Sequence, residues 1–138
     1  MAAQFLYQRE VGVSGVALEE ALKEFWELSE AEAKAKEFAE GRIRAVLEKQ
    51  REVDTELQKL VTNWEPGRLA PVDRAILRLA LWEMKWAEDV PPIAALNEAI
   101  EVAKALSTEE SGRFVNGVLD KARVSLGRPE RTIPRSAV

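Results

Sequence analysis

Residues 72 to 86 form the stretch that most limits how this chain can fold, because they are apolar on nearly every side of a helix. A helix of this kind is stable only when neighbouring elements cover most of its surface. Pro71 stands just before it, in the first turn, where the missing N–H of proline costs nothing. We therefore expect a central helix. Its few polar residues should mark where it reaches the surface: Asp73, Arg74, Arg78 and Glu83.

The other segments also have helical spacing and are separated by clear stops. A short first helix around residues 5 to 7 precedes a glycine break at 12 to 15, and an amphipathic helix follows from 16 to 26. Between residues 39 and 60 the apolar positions keep a seven-residue repeat. A single helix from the segment after Ser29 to residue 62 would span roughly 50 Å at 1.5 Å per residue, which is long for a small domain, so we expect a break near Gln50 or Arg51. Pro91-Pro92 opens another helix.

Two segments have the pattern of a capping box, in which a hydroxyl and a carboxylate three residues later satisfy the first N–H groups of a helix. Ser29-x-x-Glu32 predicts the start of the third helix, and Ser107-x-x-Glu110 predicts the start of the last one. Gly127 and Pro129 are expected to end that last helix and to leave a loose tail from 129 to 138.

The pair Asn116-Gly117 suggests a hairpin, because Asn-Gly between apolar residues is a strong turn signal. The neighbouring apolar residues instead recur at helical spacing, and no alternating strands flank the pair, so we predict a helix. Gly117 then costs about 1 kcal/mol relative to Ala, which we attribute to another backbone approaching there. The pattern favours a hydrogen bond from Asn116 to a neighbouring helix over an exposed amide that serves a ligand.

Composition excludes several classes of chemistry. The 138 residues are enough for one domain, with 46% apolar and 32% charged residues. With no His and no Cys the chain has no imidazole base, thiolate nucleophile, disulfide or ordinary zinc site, and a cytoplasmic location is the default. No phosphate-binding glycine loop and no membrane-length apolar run occur. We predict a protein that is not an enzyme and has no cofactor.

The net charge is −4, with 20 basic and 24 acidic residues. This balance argues against a protein that coats nucleic acid by bulk charge, although a local basic patch is compatible with it.

Three motifs in the same order resemble those of the NusB family of bacterial transcription antitermination factors. They are N-W-E-P-G-R-L-A-P-V-D-R-A-I-L-R-L-A-L-W-E-M at 63 to 84, P-P-I-A-A-L-N-E-A-I-E-V-A-K at 91 to 104, and S-G-R-F-V-N-G-V-L-D-K at 111 to 121. A-A-Q-F-L-Y-Q at 2 to 8 also matches the family's opening motif. Each motif alone is weak, but together in register they are specific, and the resemblance covers nearly the whole chain.

The resemblance implies an all-α NusB-like fold of about seven helices in two small packed bundles. We expect a single domain with one sub-bundle at about 1–62 and another at about 63–128. Members of this family pair with the ribosomal protein NusE and bind the boxA element of nascent ribosomal RNA. With other Nus factors they associate with the RNA polymerase elongation complex and support processive transcription.

For the protein partner, the resemblance singles out Tyr7, Asp73, Arg74 and Glu110. An acidic residue such as Asp73 suits a basic ribosomal protein, although a carboxylate in the first turn of a helix also needs no partner. Arg74 and Arg78 are able to bind phosphate or to pair with glutamates, and we expect a structural role for Arg78. The capping box already accounts for Glu110.

For the RNA, the resemblance singles out Tyr7, Arg113, Phe114, Asn116 and Lys121. Aromatic rings stack on bases, an amide reads base edges and cations bind phosphates, a combination that suits single-stranded RNA. An aromatic residue at helical spacing is more often part of the core, and this alternative applies most strongly to Phe114.

The first residues depart from the family, which usually begins with an arginine-rich segment that contributes RNA affinity. Arg9 is the only basic residue among the first ten. Either the native start lies upstream of Met1, or the protein binds boxA weakly alone and depends on NusE. Two alternatives remain. The protein is a homodimer formed through an amphipathic face, or it is an RNA-binding domain related to that of ribosomal RNA cytosine methyltransferases. The absence of a cysteine nucleophile disfavours the second alternative as a fragment of such an enzyme.

Overall fold

The computed structural model describes residues 1–12, 15–62, 64 and 69–126. Within these residues the chain forms seven helices and no strand, which confirms the all-α prediction. None of the helices described there is both long and apolar enough to span a bilayer. The helices are α1 Ala2–Val11, α2 Leu18–Glu27, α3 Ala33–Glu48, α4 Gln50–Leu60, α5 Pro71–Trp86, α6 Pro92–Leu106 and α7 Glu109–Ser125.

Helix α5 is central, as its apolar surface requires. A smaller hydrophobic cluster joins α1, α2 and α3 to α5 through Ala75. A larger cluster joins α4, α6 and α7 to α5 through buried residues such as Leu77 and Met84, neither of which is exposed. Leu79 and Trp82 pack against both clusters. The two bundles therefore share α5 as a common wall.

The predicted break in the long third segment is confirmed, and it lies at Lys49, just before the expected position near Gln50 or Arg51. Lys49 separates α3 from α4, with φ −99° and ψ 11° instead of α-helical angles. After the break, Val53 and Leu57 are fully buried in the larger cluster. The seven-residue repeat runs through the break, so the repeat alone does not reveal that the segment after Lys49 packs in the larger cluster.

Neither predicted capping box forms as expected. Helix α3 begins at Ala33 after Glu32, and the Ser29 hydroxyl accepts a hydrogen bond from the Ala31 N–H at 3.2 Å instead. At α7 the cap is Thr108, whose side-chain oxygen accepts from the Ser111 N–H at 3.0 Å. Ser107 is unsuitable because it ends α6, whereas Thr108 has the extended backbone that an N-cap needs.

The predicted helix across Asn116-Gly117 is confirmed, since α7 continues to Ser125. The predicted end at Gly127 and Pro129 and the tail at 129 to 138 lie outside the described residues.

The close approach expected at Gly117 occurs instead at Gly112. A methyl group added at Gly117 would meet nothing within 4 Å. At Gly112 it would lie 3.0 Å from the Lys104 Cγ and 3.6 Å from the Ile100 carbonyl oxygen of α6. Gly112 therefore lets α7 pack closely on α6, while Gly117 faces open space.

We predict that Gly117→Ala stabilises the protein by up to about 1 kcal/mol, because Ala has the higher helix propensity and no neighbour opposes its methyl group. Gly41→Ala in α3 is the matched control, since that glycine also faces open space. Gly112→Ala should gain less or lose stability, because Lys104 must move. Urea denaturation measures all three, and an equal gain at Gly112 and Gly117 would contradict this packing.

Candidate functional site

The first turns of α5 and α7 meet through a hydrogen bond between Asp73 and Ser111. The Ser111 hydroxyl donates to the Asp73 carboxylate Oδ1. Ser111 is buried and Asp73 is half-buried. A carboxylate in the first turn of a helix is also favoured by the helix dipole. Asp73 is therefore fixed from inside the protein, while part of its side chain still faces solvent.

Arg74 is buried, which corrects the expectation that it reaches the surface and contacts a partner directly. It is 3% exposed, and its Nε donates to the Glu10 Oε1 at 2.6 Å. Its guanidinium lies 4.5 Å from the centre of the Trp64 ring. Arg74 thus joins α1 to α5 and presents almost no surface of its own.

Arg78 has the structural role that we expected. It donates two hydrogen bonds to the Asp54 carboxylate, at 2.9 and 3.0 Å, and its Nη1 lies 3.4 Å from the Glu10 Oε2. Together with Arg74 it builds a network that ties α1, α4 and α5.

Tyr7 and Glu110 lie on either side of these contacts. Tyr7 is 38% exposed and precedes Glu10 by one turn of α1, so both residues lie on neighbouring positions of one face. Glu110 is exposed in the first turn of α7, next to Ser111. We call the surface formed by Tyr7, Asp73 and Glu110 the α1–α5–α7 junction. Arg74, the fourth predicted partner residue, is buried and presents almost no surface there.

A groove of about 400 Å³ runs between the end of α4 and the outer face of α7. Arg113, Gly117 and Lys121 recur every four residues and line it from α7. The opposite wall consists of Leu60, Val61, Thr62 and Leu69. We call this space the α4–α7 groove.

Within the described residues, no carboxylate neutralises the cations beside this groove. In the described part of the chain, Arg113 and Lys121 are exposed and take part in no ion pair. Further along α7, by contrast, Arg123 pairs with Asp120 at 2.7 Å. The two positive charges at the groove are therefore available to an anionic ligand.

Phe114 and Asn116 occupy different positions. Phe114 is half-buried, packs against the larger cluster and also lines the α4–α7 groove. Asn116 is exposed, lies beside the groove and does not line it. Within the described residues its side chain makes no hydrogen bond to a neighbouring helix, so the structural interpretation favoured by the pattern was wrong.

The sequence did not reveal the residues that hold these surfaces in place. Glu10 and Arg74 are 64 positions apart, and Ser111 and Asp73 are 38 apart. No local pattern reports such pairs. In the described segments no group of three or more acidic, His or Cys residues is arranged to hold a metal ion.

Comparison with known proteins agrees with this architecture. The model of the NusB family matches residues 1–123. The chain belongs to the NusB family. The transcription antitermination protein NusB of Methylacidiphilum infernorum is 41% identical over 128 residues, which are 93% of this chain and 89% of that protein. NusB of Bacillus subtilis is 42% identical over 122 residues, covering 88% of each. The resemblance inferred from the three motifs is confirmed.

Solved structures confirm the NusB-like fold. T. maritima NusB superposes with a TM-score of 0.79 and 37% identity, covering 92% of this chain and 88% of that one. A crystal structure of the antitermination factors NusB and NusE in complex with double-stranded RNA gives a TM-score of 0.77 and 26% identity, covering 90% and 91%.

We predict that Arg74→Met destabilises this NusB family member by about 3 kcal/mol, because it leaves the Glu10 carboxylate without its closest cation in a largely buried site. The double variant Arg74→Met/Glu10→Leu should recover most of the loss, since an apolar pair often replaces a buried ion pair at little cost. Arg44→Met, which breaks an exposed pair with Glu19, should change little. Urea denaturation measures each variant, and a double variant no more stable than Arg74→Met would contradict the pairing.

Proposed function

We propose that this chain is an antitermination factor that pairs with the ribosomal protein NusE and binds the boxA RNA of nascent ribosomal RNA transcripts. In this role it acts in the cytoplasm, without catalysis. Through other Nus factors it associates with the RNA polymerase elongation complex and supports processive transcription. The proposal extends the family membership to a specific RNA, a specific partner and specific residues.

The observation that carries the RNA part is the unpaired positive charge beside the α4–α7 groove. Arg113 and Lys121 stand two turns apart with no carboxylate of the described residues to neutralise them, and the half-buried Phe114 lines the same groove. Proteins usually bind single-stranded RNA with cations placed along the phosphate backbone of the RNA and with aromatic rings on which its bases stack. Asn116 lies at the edge, where its amide is accessible to a base.

The α1–α5–α7 junction supports the partner part. Asp73 and Glu110 supply negative charge and Tyr7 supplies an amphipathic ring, a combination that suits a basic ribosomal protein. Arg74 contributes from below by holding α1 against α5. The similar NusB in complex with NusE and RNA makes NusE the first partner to test.

We expect Asp73→Lys to weaken capture of NusE at least tenfold, because a positive charge then faces a basic partner. Tyr7→Ala should also weaken it. Capture of purified NusE by the immobilised protein measures both effects.

The matched control for Asp73→Lys is Ser111→Ala. Both changes remove the hydrogen bond between α5 and α7, but only Asp73→Lys reverses the charge. If Ser111→Ala weakens capture as much as Asp73→Lys does, the effect arises from helix packing. If neither Asp73→Lys nor Tyr7→Ala weakens capture, the junction is not the NusE site.

We predict that Arg113→Ala and Lys121→Ala each lower affinity for boxA RNA and reduce the steepness of its salt dependence. The slope of log K against log salt should fall by about 0.7 for each phosphate of the single strand that the variant no longer neutralises. The measurement is a salt-titrated RNA-binding assay on the complex with NusE.

Lys34→Ala in α3 removes an exposed cation away from the groove and should leave the slope unchanged. Equal slopes in all four proteins would mean that the α4–α7 groove does not bind the RNA backbone. Repeating the assay without NusE tests the expectation that RNA binding depends on the partner, and equal affinities would refute it.

A further inference from the structure

We propose that the RNA strand continues beyond the α4–α7 groove into a second site between α4, α5 and α7, where Trp86, Lys59 and Lys85 bind further nucleotides. This inference rests on the proposed RNA-binding function and assigns residues outside the motifs that carried it. We call the second site the Trp86 pocket.

The Trp86 pocket adjoins the α4–α7 groove. It has a volume of about 520 Å³, and Leu60 lines both spaces. On α7 the stripe that begins at Arg113 continues through Lys121 to Ser125, which lines the Trp86 pocket. From Arg113 to Ser125 this stripe extends about 18 Å at 1.5 Å per residue. One strand lying along it would contact both spaces.

The residues of the pocket are of the types that bind single-stranded nucleic acid. Trp86 is half-buried and presents part of its ring to the pocket, on a base formed by apolar residues of α5 and α7. The Lys85 Nζ lies 5.1 Å from the centre of the ring, and the Lys49 Nζ lies 5.4 Å from it. An aromatic surface surrounded by cations supports base stacking and phosphate binding together.

Among the described residues, Glu56 is the one acidic residue that lines the pocket, and it limits how strongly the pocket attracts a phosphate. Its Oε1 lies 3.2 Å from the Lys85 Nζ and 3.5 Å from the Lys59 Nζ. The hydrogen bond from Lys85 is the main cause that lowers the pKa of Glu56, so this carboxylate is ionised at neutral pH. Two lysines against one carboxylate leave a net positive charge that a phosphate is able to bind.

Charge and position together favour RNA over a peptide as the occupant. The lysines at the rim have the same sign as Arg113 and Lys121, and the pocket adjoins the groove that those two residues line. A peptide that bound only the apolar residues of the Trp86 pocket would not need the row of cations along α7.

The test compares boxA RNA with the same RNA extended by several nucleotides at either end, in the presence of NusE. The wild-type protein should bind the extended RNA more tightly. Lys59→Ala/Lys85→Ala should abolish this advantage, lower the salt slope for extended RNA by about 1.4 and leave binding of boxA alone unchanged. If the double variant keeps the full advantage, the inference is wrong.

Two pairs of variants separate a direct contact from a loss of folding. Glu56→Gln should raise affinity for extended RNA, because it releases both lysines, whereas Glu19→Gln removes an exposed carboxylate elsewhere and should not. Trp86→Phe should retain the advantage, and Trp86→Ala should reduce it at least about fivefold, since stacking contributes roughly 1 kcal/mol or more per base. Unchanged affinity in both Glu56→Gln and Trp86→Ala would exclude the pocket.

The failure of this inference is distinguishable from the failure of the proposed function. If Arg113→Ala weakens binding of boxA but the Trp86 pocket variants do not affect extended RNA, the groove binds RNA and the pocket does not. If Arg113→Ala has no effect on either RNA, the proposed function fails first. If the Trp86 pocket binds a protein, its variants should alter capture of NusE and leave the difference in affinity between extended RNA and boxA RNA unchanged. That result would also overturn the inference.

Discussion

The need to cover α5 on all sides determines the arrangement of the other helices. Its apolar surface is buried by the smaller cluster on one side and by the larger cluster on the other. Two arginines, Arg74 and Arg78, interrupt that surface, and charges so placed are tolerated only when they are paired. Glu10 and Asp54 pair with them, and the Trp64 ring lies against both guanidinium groups. The polar residues of α5 thereby fix α1 and α4 in place.

Each exposed residue of the candidate surfaces lies next to a residue that the fold holds rigidly. Asp73 precedes the buried Arg74, Glu110 precedes the buried Ser111, and Arg113 follows Gly112 at the tight contact with α6. A recognition site needs side chains whose positions are fixed by their surroundings. The packing residues and the proposed contact residues are therefore interleaved along the same helices, which explains why sequence motifs in this chain mix both kinds.

Periodicity was sufficient to predict the helices, because each depends on one local pattern. The apolar surface of α5 predicted its central position, and the length of the third segment predicted the break at Lys49. The predicted N-cap of α7 was wrong because Ser107 and Thr108 both carry a hydroxyl group. Only the backbone angles at the end of α6 determine which of the two caps the helix. The burial of Arg74 was missed because its partner, Glu10, is 64 residues away. The local sequence pattern identifies the apolar and polar faces of each helix, whereas ion pairs between distant residues determine which polar side chains are buried.

Under the proposed function, this acidic chain has to present unpaired cations where the RNA binds. The chain has 24 acidic and 20 basic residues, and many of the described arginines and lysines pair with carboxylates, as Arg42 does with Asp89. Among the described residues, the wall that faces Arg113 and Lys121 across the α4–α7 groove consists of Leu60, Val61, Thr62 and Leu69, and none of these four is acidic. A few unpaired charges on a negative background attract a phosphate backbone weakly, and the rest of the surface repels it. The proposed function therefore requires that aromatic contacts and the partner protein supply affinity, and such a requirement favours binding at a defined RNA segment over binding along any RNA.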